Sequence, residues 1–163
     1  MASEKGHIEI VQYLFENGAD IHSDNDYVLI TTSQNGHFDV VKFLVEHGAN
    51  VHTNNDLALA VSSQSGHINI VRFLVENNSN VVANDNFALI AASFNGHIEV
   101  LRFLVENGPE INARNDQELI LASQNGHIEV VRFLAEHGAN IHAKMILLFP
   151  LHLEMITEMF YIF

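Results

Sequence analysis

A period of 30 residues constrains this chain more than any other feature of its sequence. The dipeptide Gly-His recurs at residues 6–7, 36–37, 66–67, 96–97 and 126–127, at an unbroken spacing of 30 residues. Other columns keep that spacing: a Ser before the Gly, then an aromatic residue, a Leu and a Glu after the His. A strict period of roughly 20 to 50 residues is typical of a solenoid, in which each unit buries its apolar face against its neighbours.

Each unit is predicted to contain two helices and a loop. In the second full unit the pattern predicts a first helix over Leu57–Gln64, ended by Gly66, and a second helix over Ile68–Asn77. The second helices end at a Gly or, in one unit, at Asn78, because both residue types tolerate a left-handed backbone. The polar residues between units predict loops, and the Asn-Asp pairs in them are predicted to cap the first helices. These pairs lie at residues 25–26, 55–56 and 115–116.

The repeated pattern S-x-x-G-H-I-E-V-V-R-F-L-x-E-x-G-A-N-I-H resembles the ankyrin repeat from Met1 to about Lys144. The resemblance implies an all-α solenoid of stacked helix-turn-helix pairs. This unit is three residues shorter than the family's usual repeat of about 33 residues, and the shortening falls in the loop, where the family has a β-hairpin tip. The family's Thr-Pro-Leu-His opening of the first helix is also absent. Short, Asn-rich units preceded by Asn-Asp resemble the ankyrin arrays of giant DNA viruses.

The array is predicted to span residues 1–144. It consists of a half repeat, 1–23, and four repeats that begin near residues 24, 54, 84 and 114. Residues 145–163 depart from the pattern and are hydrophobic, with one Pro, one His and two Glu. Four interpretations of this tail stay open: a helix that caps the stack, an out-of-frame end, an F-box-like segment, or a membrane anchor.

The charge and the cysteine count exclude several classes of function. A net charge of −13 argues against nucleic acid and against an anionic membrane surface, both of which need a basic footprint. The absence of Cys removes disulfides, Cys-ligated zinc and a thiol nucleophile, and it fits a reducing compartment. The first ten residues lack the apolar core of a secretory signal. We therefore expect a cytoplasmic protein, in the host cytoplasm or the virion if it is viral.

Two polar columns invite a chemical interpretation. The His of the Gly-His column is predicted to bond to backbone at the helix junction, and no motif with the ligand spacing of a zinc site is present. The cations of the second helices have an acidic residue four positions later, so we expect ion pairs on a solvated face. These cations are Lys42, Arg72, Arg102 and Arg132. The aromatic column from Tyr13 to Phe133 is predicted to pack between helices. We therefore predict no enzyme, no cofactor, no metal and no small-molecule substrate.

The predicted function is a non-enzymatic module or scaffold that binds a protein partner, as the resemblance implies. Columns that are identical in every unit serve the stack, so the columns that vary are the candidates for partner contact. In the family they lie on the concave face. The candidates are Tyr27, Gln34, Leu57, Gln64, Phe87, Phe94, Gln117 and Gln124. Two alternatives remain open: a substrate adaptor that recruits a ubiquitin ligase through the tail, and a structural component of a virus particle.

Overall fold

The computed structural model describes residues 2–108 and 116–141, with residues 23–25 described by their backbone alone. Within these ranges the chain forms helices and turns and no strand. A short 3₁₀ turn, Ser3–Lys5, is followed by α1 (Ile8–Glu16), α2 (Ser23–Gln34), α3 (Phe38–Glu46), α4 (Thr53–Gln64), α5 (Ile68–Glu76), α6 (Ala83–Asn95), α7 (Ile98–Asn107), α8 (Gln117–Gln124) and α9 (Ile128–Glu136). The tail, residues 145–163, lies outside the described ranges.

The helices form two layers along the array. The first helices α2, α4, α6 and α8 pack side by side in chain order, and the second helices α1, α3, α5, α7 and α9 do the same. Each first helix also packs against the second helix that follows it. This arrangement confirms the predicted all-α solenoid. Across the part of the chain that the structure describes, no helix is both long enough and apolar enough to span a bilayer.

Two leucine columns run through the whole core, one from each layer. Their members are at most 1% exposed in the first helices at Leu29, Leu59, Leu89 and Leu119, and in the second helices at Leu44, Leu74, Leu104 and Leu134. Leu14 occupies the second column in α1 but is 47% exposed. Among the described residues, the short turn Ser3–Lys5 stands where the later units have a full first helix, so Leu14 is less covered than its equivalents.

The Asn-rich segments that open the first helices form left-handed turns. Residues 54–56 have φ angles between 52° and 59°, and residues 84–86 have φ angles between 49° and 67°. Asn and Asp adopt this conformation more readily than other residues with a side chain. The right-handed part of α4 therefore begins at Leu57, as predicted, and the abundance of Asn has a backbone cause.

The prediction that the Asn-Asp pairs cap the first helices is wrong. Asp56 is 6% exposed, and α4 has no side-chain hydrogen bond at its N-terminus. The Oδ1 atom of Asp56 accepts hydrogen bonds from Nδ1 of His52 at 3.0 Å and from the backbone N–H of Asn80 at 2.8 Å. Asp116 accepts a hydrogen bond from the backbone N–H of Asn140, also at 2.8 Å. These two carboxylates tie the turns at Asp56 and Asp116 to the loop 24 residues later, near the end of the same repeat.

The second helix of the third repeat ends differently from the others. The predicted left-handed end is present at Gly18, Gly48, Asn78 and Gly138, but Gly108 is extended, with φ −130°. In the preceding repeats the next residue closes the helix end, as when the N–H of Ala49 donates to the carbonyl of Leu44 at 2.9 Å. Residue 109 is a proline. Because proline has no N–H, this closing hydrogen bond cannot form.

Candidate functional site

The Gly-His dipeptide fastens each repeat to the one before it. Nε2 of His67 lies 3.0 Å from the carbonyl oxygen of Gln34, 33 residues earlier, and His37, His97 and His127 repeat this contact at 2.8, 3.0 and 2.9 Å. The His67 ring also covers Gly36, where an added Cβ would lie 2.6 Å from the ring. The predicted hydrogen bond from His to backbone at the helix junction is therefore confirmed. Its acceptor belongs to the preceding repeat.

The eight predicted contact residues lie at the two ends of the right-handed part of each first helix. We call this set the first-helix face. Within a helix its two members are seven positions apart, which is two turns and therefore the same side. The structure places the side chains of Tyr27, Gln34, Gln64, Phe87, Phe94, Gln117 and Gln124 at the surface, with Leu57 partly buried. The backbone carbonyls at positions 34, 64 and 94 each contact the His ring of the following Gly-His dipeptide. These contacts hold the backbone under the first-helix face in place.

The first-helix face carries no exposed charge. Residues 27–34, 57–64, 87–94 and 117–124 contain a single charged residue, Glu118, which is 4% exposed. The second helices instead carry exposed acids along their length, among them Glu46, Glu76 and Glu106. In a protein of net charge −13 this face is a neutral surface beside an acidic one.

Two exposed aromatic side chains of the first-helix face lie on the third repeat. Phe87 is 42% exposed and Phe94 is 46% exposed, and Tyr27 in the first full repeat is 54% exposed. Val82, which is 44% exposed, was missed by the sequence analysis. The signal was present, since Val82 occupies a column that holds Asn at residue 112 and His in the remaining units. The His members of that column are His22, His52 and His142.

A polar trough lies between the left-handed turns of the second and third repeats. It is open and has a volume of about 570 Å³. Asn55 and Asn84 join the two turns: Nδ2 of Asn55 donates to Oδ1 of Asn84, and Nδ2 of Asn84 donates to the carbonyl of Asn55, both at 3.1 Å. Val82 lies on the lining of this trough. The turns are thus linked by amide side chains in place of the hairpin tips of longer repeats.

Two of the cations on the second helices make contacts between repeats. Lys42 lies 3.8 Å from Glu46, as the spacing predicted. The guanidinium of Arg72 instead lies over the ring of Phe103, 4.6 Å from its centroid, and Arg102 lies over Phe133 at 4.7 Å. Each of these stacking contacts joins one repeat to the next. The aromatic column therefore packs between helices, as predicted, and Tyr13 is an exception at 65% exposed.

Four other histidines bond to nearby groups: His22, His47, His52 and His137. Nδ1 of His47 lies 2.7 Å from the carbonyl oxygen of Phe43, and its ring lies over the Phe43 ring at 4.0 Å. His52 is paired with Asp56. In residues 2–108 and 116–141 no three His, Asp or Glu side chains gather closely enough to hold a metal ion.

Glu118 is a buried acidic residue of the fourth repeat. It occupies a column that is Ala58 and Ala88 in the two preceding repeats. Burial raises the pKa of its carboxyl group; a backbone hydrogen bond opposes this change, and the nearby charge of Asp116 adds to it. Folding therefore favours the protonated form. The free energy of unfolding falls as the pH rises from the ordinary pKa of a Glu to the raised pKa in the folded state.

We expect Glu118→Gln to stabilise the protein at pH 7 by about 0.5–2 kcal/mol, the range typical of removing one local conflict. The gain should disappear below the ordinary pKa of 4.5, where the carboxyl is protonated in both states. Urea titrations at pH 7 and at pH 4 measure both quantities. Glu99→Gln, at an exposed position of α7, is the control. An equal gain at both pH values would contradict the assignment of a buried, destabilising charge.

Comparisons with known proteins agree with this architecture. The family described as "Ankyrin repeats (3 copies)" matches residues 1–85 and 79–145. Among solved structures, the human ASB11 ankyrin repeat domain is similar, with a TM-score of 0.78 and 22% sequence identity over 86% of this chain and 68% of that one. No curated protein matches at a significant level. With stacked helix pairs and a family match over most of its length, the chain belongs to the ankyrin-repeat family.

Proposed function

We propose that this chain is a protein-interaction module that binds a partner protein through its first-helix face. Ankyrin repeats are generally protein–protein interaction modules, and the family is typically non-enzymatic. The observation that carries the proposal is the exposure of three aromatic side chains, Tyr27, Phe87 and Phe94, on a face without exposed charge. Aromatic residues provide a disproportionate share of the energy of protein interfaces.

The chemistry of the face defines the kind of partner. Its exposed groups are aromatic rings and the amides of Gln34, Gln64, Gln117 and Gln124. A partner segment that fits it presents apolar groups and uncharged hydrogen-bonding groups. Because no charge on the face takes part, the affinity should change little with ionic strength, whereas binding to the acidic second helices would weaken steeply as salt rises.

Phe94→Gln is the most direct test of the face. The equivalent residues are Gln34, Gln64 and Gln124, so Gln is already compatible with this position of the fold. Only the backbone carbonyl of Phe94 is used by the stack, where it bonds to His127. We expect an unchanged thermal melt and a loss of more than about 1 kcal/mol in binding free energy. The partner is first identified by affinity purification and mass spectrometry, and its purified form is then titrated by calorimetry.

A matched variant on the other layer makes the test decisive. Glu99 is exposed on α7, the second helix that directly follows Phe94. Glu99→Gln should leave the affinity unchanged. A loss with Glu99→Gln but not with Phe94→Gln would place the partner on the acidic second helices and overturn the proposal.

A further inference from the structure

The dipeptide Asn-Gly occurs five times in this chain, and it is a sequence at which the Asn side-chain amide is lost spontaneously. The backbone nitrogen of the Gly bonds to the side-chain carbonyl carbon of the Asn, because Gly has no side chain to hinder its approach. The bond from that carbon to Nδ2 breaks, and ammonia leaves with the backbone proton. Water then opens the resulting succinimide ring to Asp or isoaspartate. The five pairs are residues 17–18, 35–36, 95–96, 107–108 and 125–126.

Four of these pairs lie in helix ends that are closed by two backbone hydrogen bonds. Their glycines have φ angles between 75° and 89°. Each glycine N–H donates to the carbonyl three residues earlier, at 2.9–3.4 Å, and the next N–H donates to the carbonyl five residues before it, at 2.9–3.1 Å. To form the succinimide, the Asn-Gly peptide must rotate until its nitrogen reaches the side-chain carbon. In these four pairs that rotation requires both hydrogen bonds to open.

The pair Asn107-Gly108 has a different backbone. Gly108 is extended, with φ −130° and ψ −159°, and residue 109 is a proline, which has no N–H to form the second hydrogen bond. The Asn side chain itself is held as in other pairs. Nδ2 of Asn107 donates to the carbonyl four residues earlier at 2.9 Å, as those of Asn17 and Asn95 do at 2.7 and 2.8 Å. Asn107 and Gly108 are both exposed, so water reaches the pair.

We propose that Asn107 is a modification site of the folded protein, where the side-chain amide is converted to Asp and isoaspartate while the other four Asn-Gly pairs are protected. The product adds a negative charge to the last turn of α7, where the helix dipole favours a cation. Isoaspartate also adds one carbon to the backbone at the end of this helix. Both changes weaken the end of the third repeat, so the modified chain is less stable than the unmodified one.

Peptide mapping by mass spectrometry of the full chain tests the proposal. The folded chain is incubated in mildly alkaline buffer, and each Asn-Gly pair is followed by the mass difference between an amide and an acid. Electron-transfer fragmentation distinguishes isoaspartate from Asp. We expect residue 107 to be converted at least about tenfold faster than the other four, since those must first open two hydrogen bonds. In concentrated urea all five pairs should react at similar rates, because the fold no longer protects any of them.

Two variants test the physical cause. Pro109→Ala restores the Gly-Ala sequence that closes the equivalent helix ends at residues 18–19, 48–49 and 138–139, so it should slow the reaction at Asn107 to the rate of the other pairs. Asn107→His removes the reacting amide, and His47 and His137 already occupy the equivalent position. The melting temperature of the unaltered chain should fall during the incubation, whereas that of Asn107→His should stay constant.

Several results would overturn the proposal. One is an equal rate at all five pairs of the folded chain, and another is a faster reaction at a pair other than 107–108. The same preference for residue 107 in urea would show that the local sequence, and not the fold, selects the site. An unchanged rate in Pro109→Ala, with a melt showing that this variant is folded, would show that the open helix end is not the cause.

Discussion

Replacing Leu74 by Ala is expected to lower the free energy of unfolding by about 2–5 kcal/mol, the range measured for buried leucines in well-packed cores. Leu74 lies in α5, in the middle of the array, and is 0% exposed. Its side chain is enclosed by its own first helix and by the neighbouring repeats, so truncation leaves a cavity that these elements cannot easily close.

Leu14→Ala is the matched control, because Leu14 occupies the same column in α1 but is 47% exposed. Its loss should be clearly smaller than that of Leu74→Ala. Urea unfolding followed by circular dichroism gives both values. Equal losses at the two positions would show that stability comes from within each repeat, against the stacked architecture.

The second large effect concerns the glycine of the Gly-His column. Gly66→Ala should destabilise the protein by roughly 2–4 kcal/mol for two reasons. A left-handed backbone, with φ +76° at Gly66, costs an L-residue about 1–2 kcal/mol. The new Cβ would also lie 2.6 Å from Nδ1 of His97, so the ring must move away from its hydrogen bond to Gln64.

Gly18→Ala separates these two contributions. Gly18 also has a positive φ, +89°, but an added Cβ would have nothing within 4 Å. It should therefore lose only the backbone part, about 1–2 kcal/mol. Thermal or urea unfolding of the two variants measures the difference. If both lose the same amount, the His ring contributes nothing to the junction between repeats.

The helices and the core of this protein were predictable because the units of a solenoid repeat the same local pattern. The period of 30 residues gave the second helix at Ile68 and the right-handed start of the first helix at Leu57, and both are observed. The buried leucine columns follow from the same spacing, since each leucine meets an equivalent neighbour in every unit. The exposure of Phe94 was also indicated, because a polar Gln fills that column in three of the other units.

The partners of the polar side chains were less predictable, because they lie far away in the sequence. Asp56 was expected to cap its own helix, and its carboxylate instead accepts from the backbone of Asn80. Arg72 was expected to pair with an acid on its own helix, and it lies over the ring of Phe103. In both cases an interaction within one helix competes with one to a group that is distant in the sequence. The stacked helices decide between them by bringing the distant group into contact.

The sequence by itself therefore determined the repeat, the helices, the core and the varied columns of the first helices, since these depend on spacing along a single chain. The tertiary structure decided how the repeats are joined. His37, His67, His97 and His127 bond 33 residues back, and an arginine on one second helix covers a phenylalanine on the next. Within a repeat, the carboxylates of Asp56 and Asp116 reach 24 residues forward. The physical reason is that hydrogen-bond and stacking geometry is satisfied only when two units are packed together. One unit alone specifies the donor or the ring, but its partner is set by the rise and rotation from one repeat to the next.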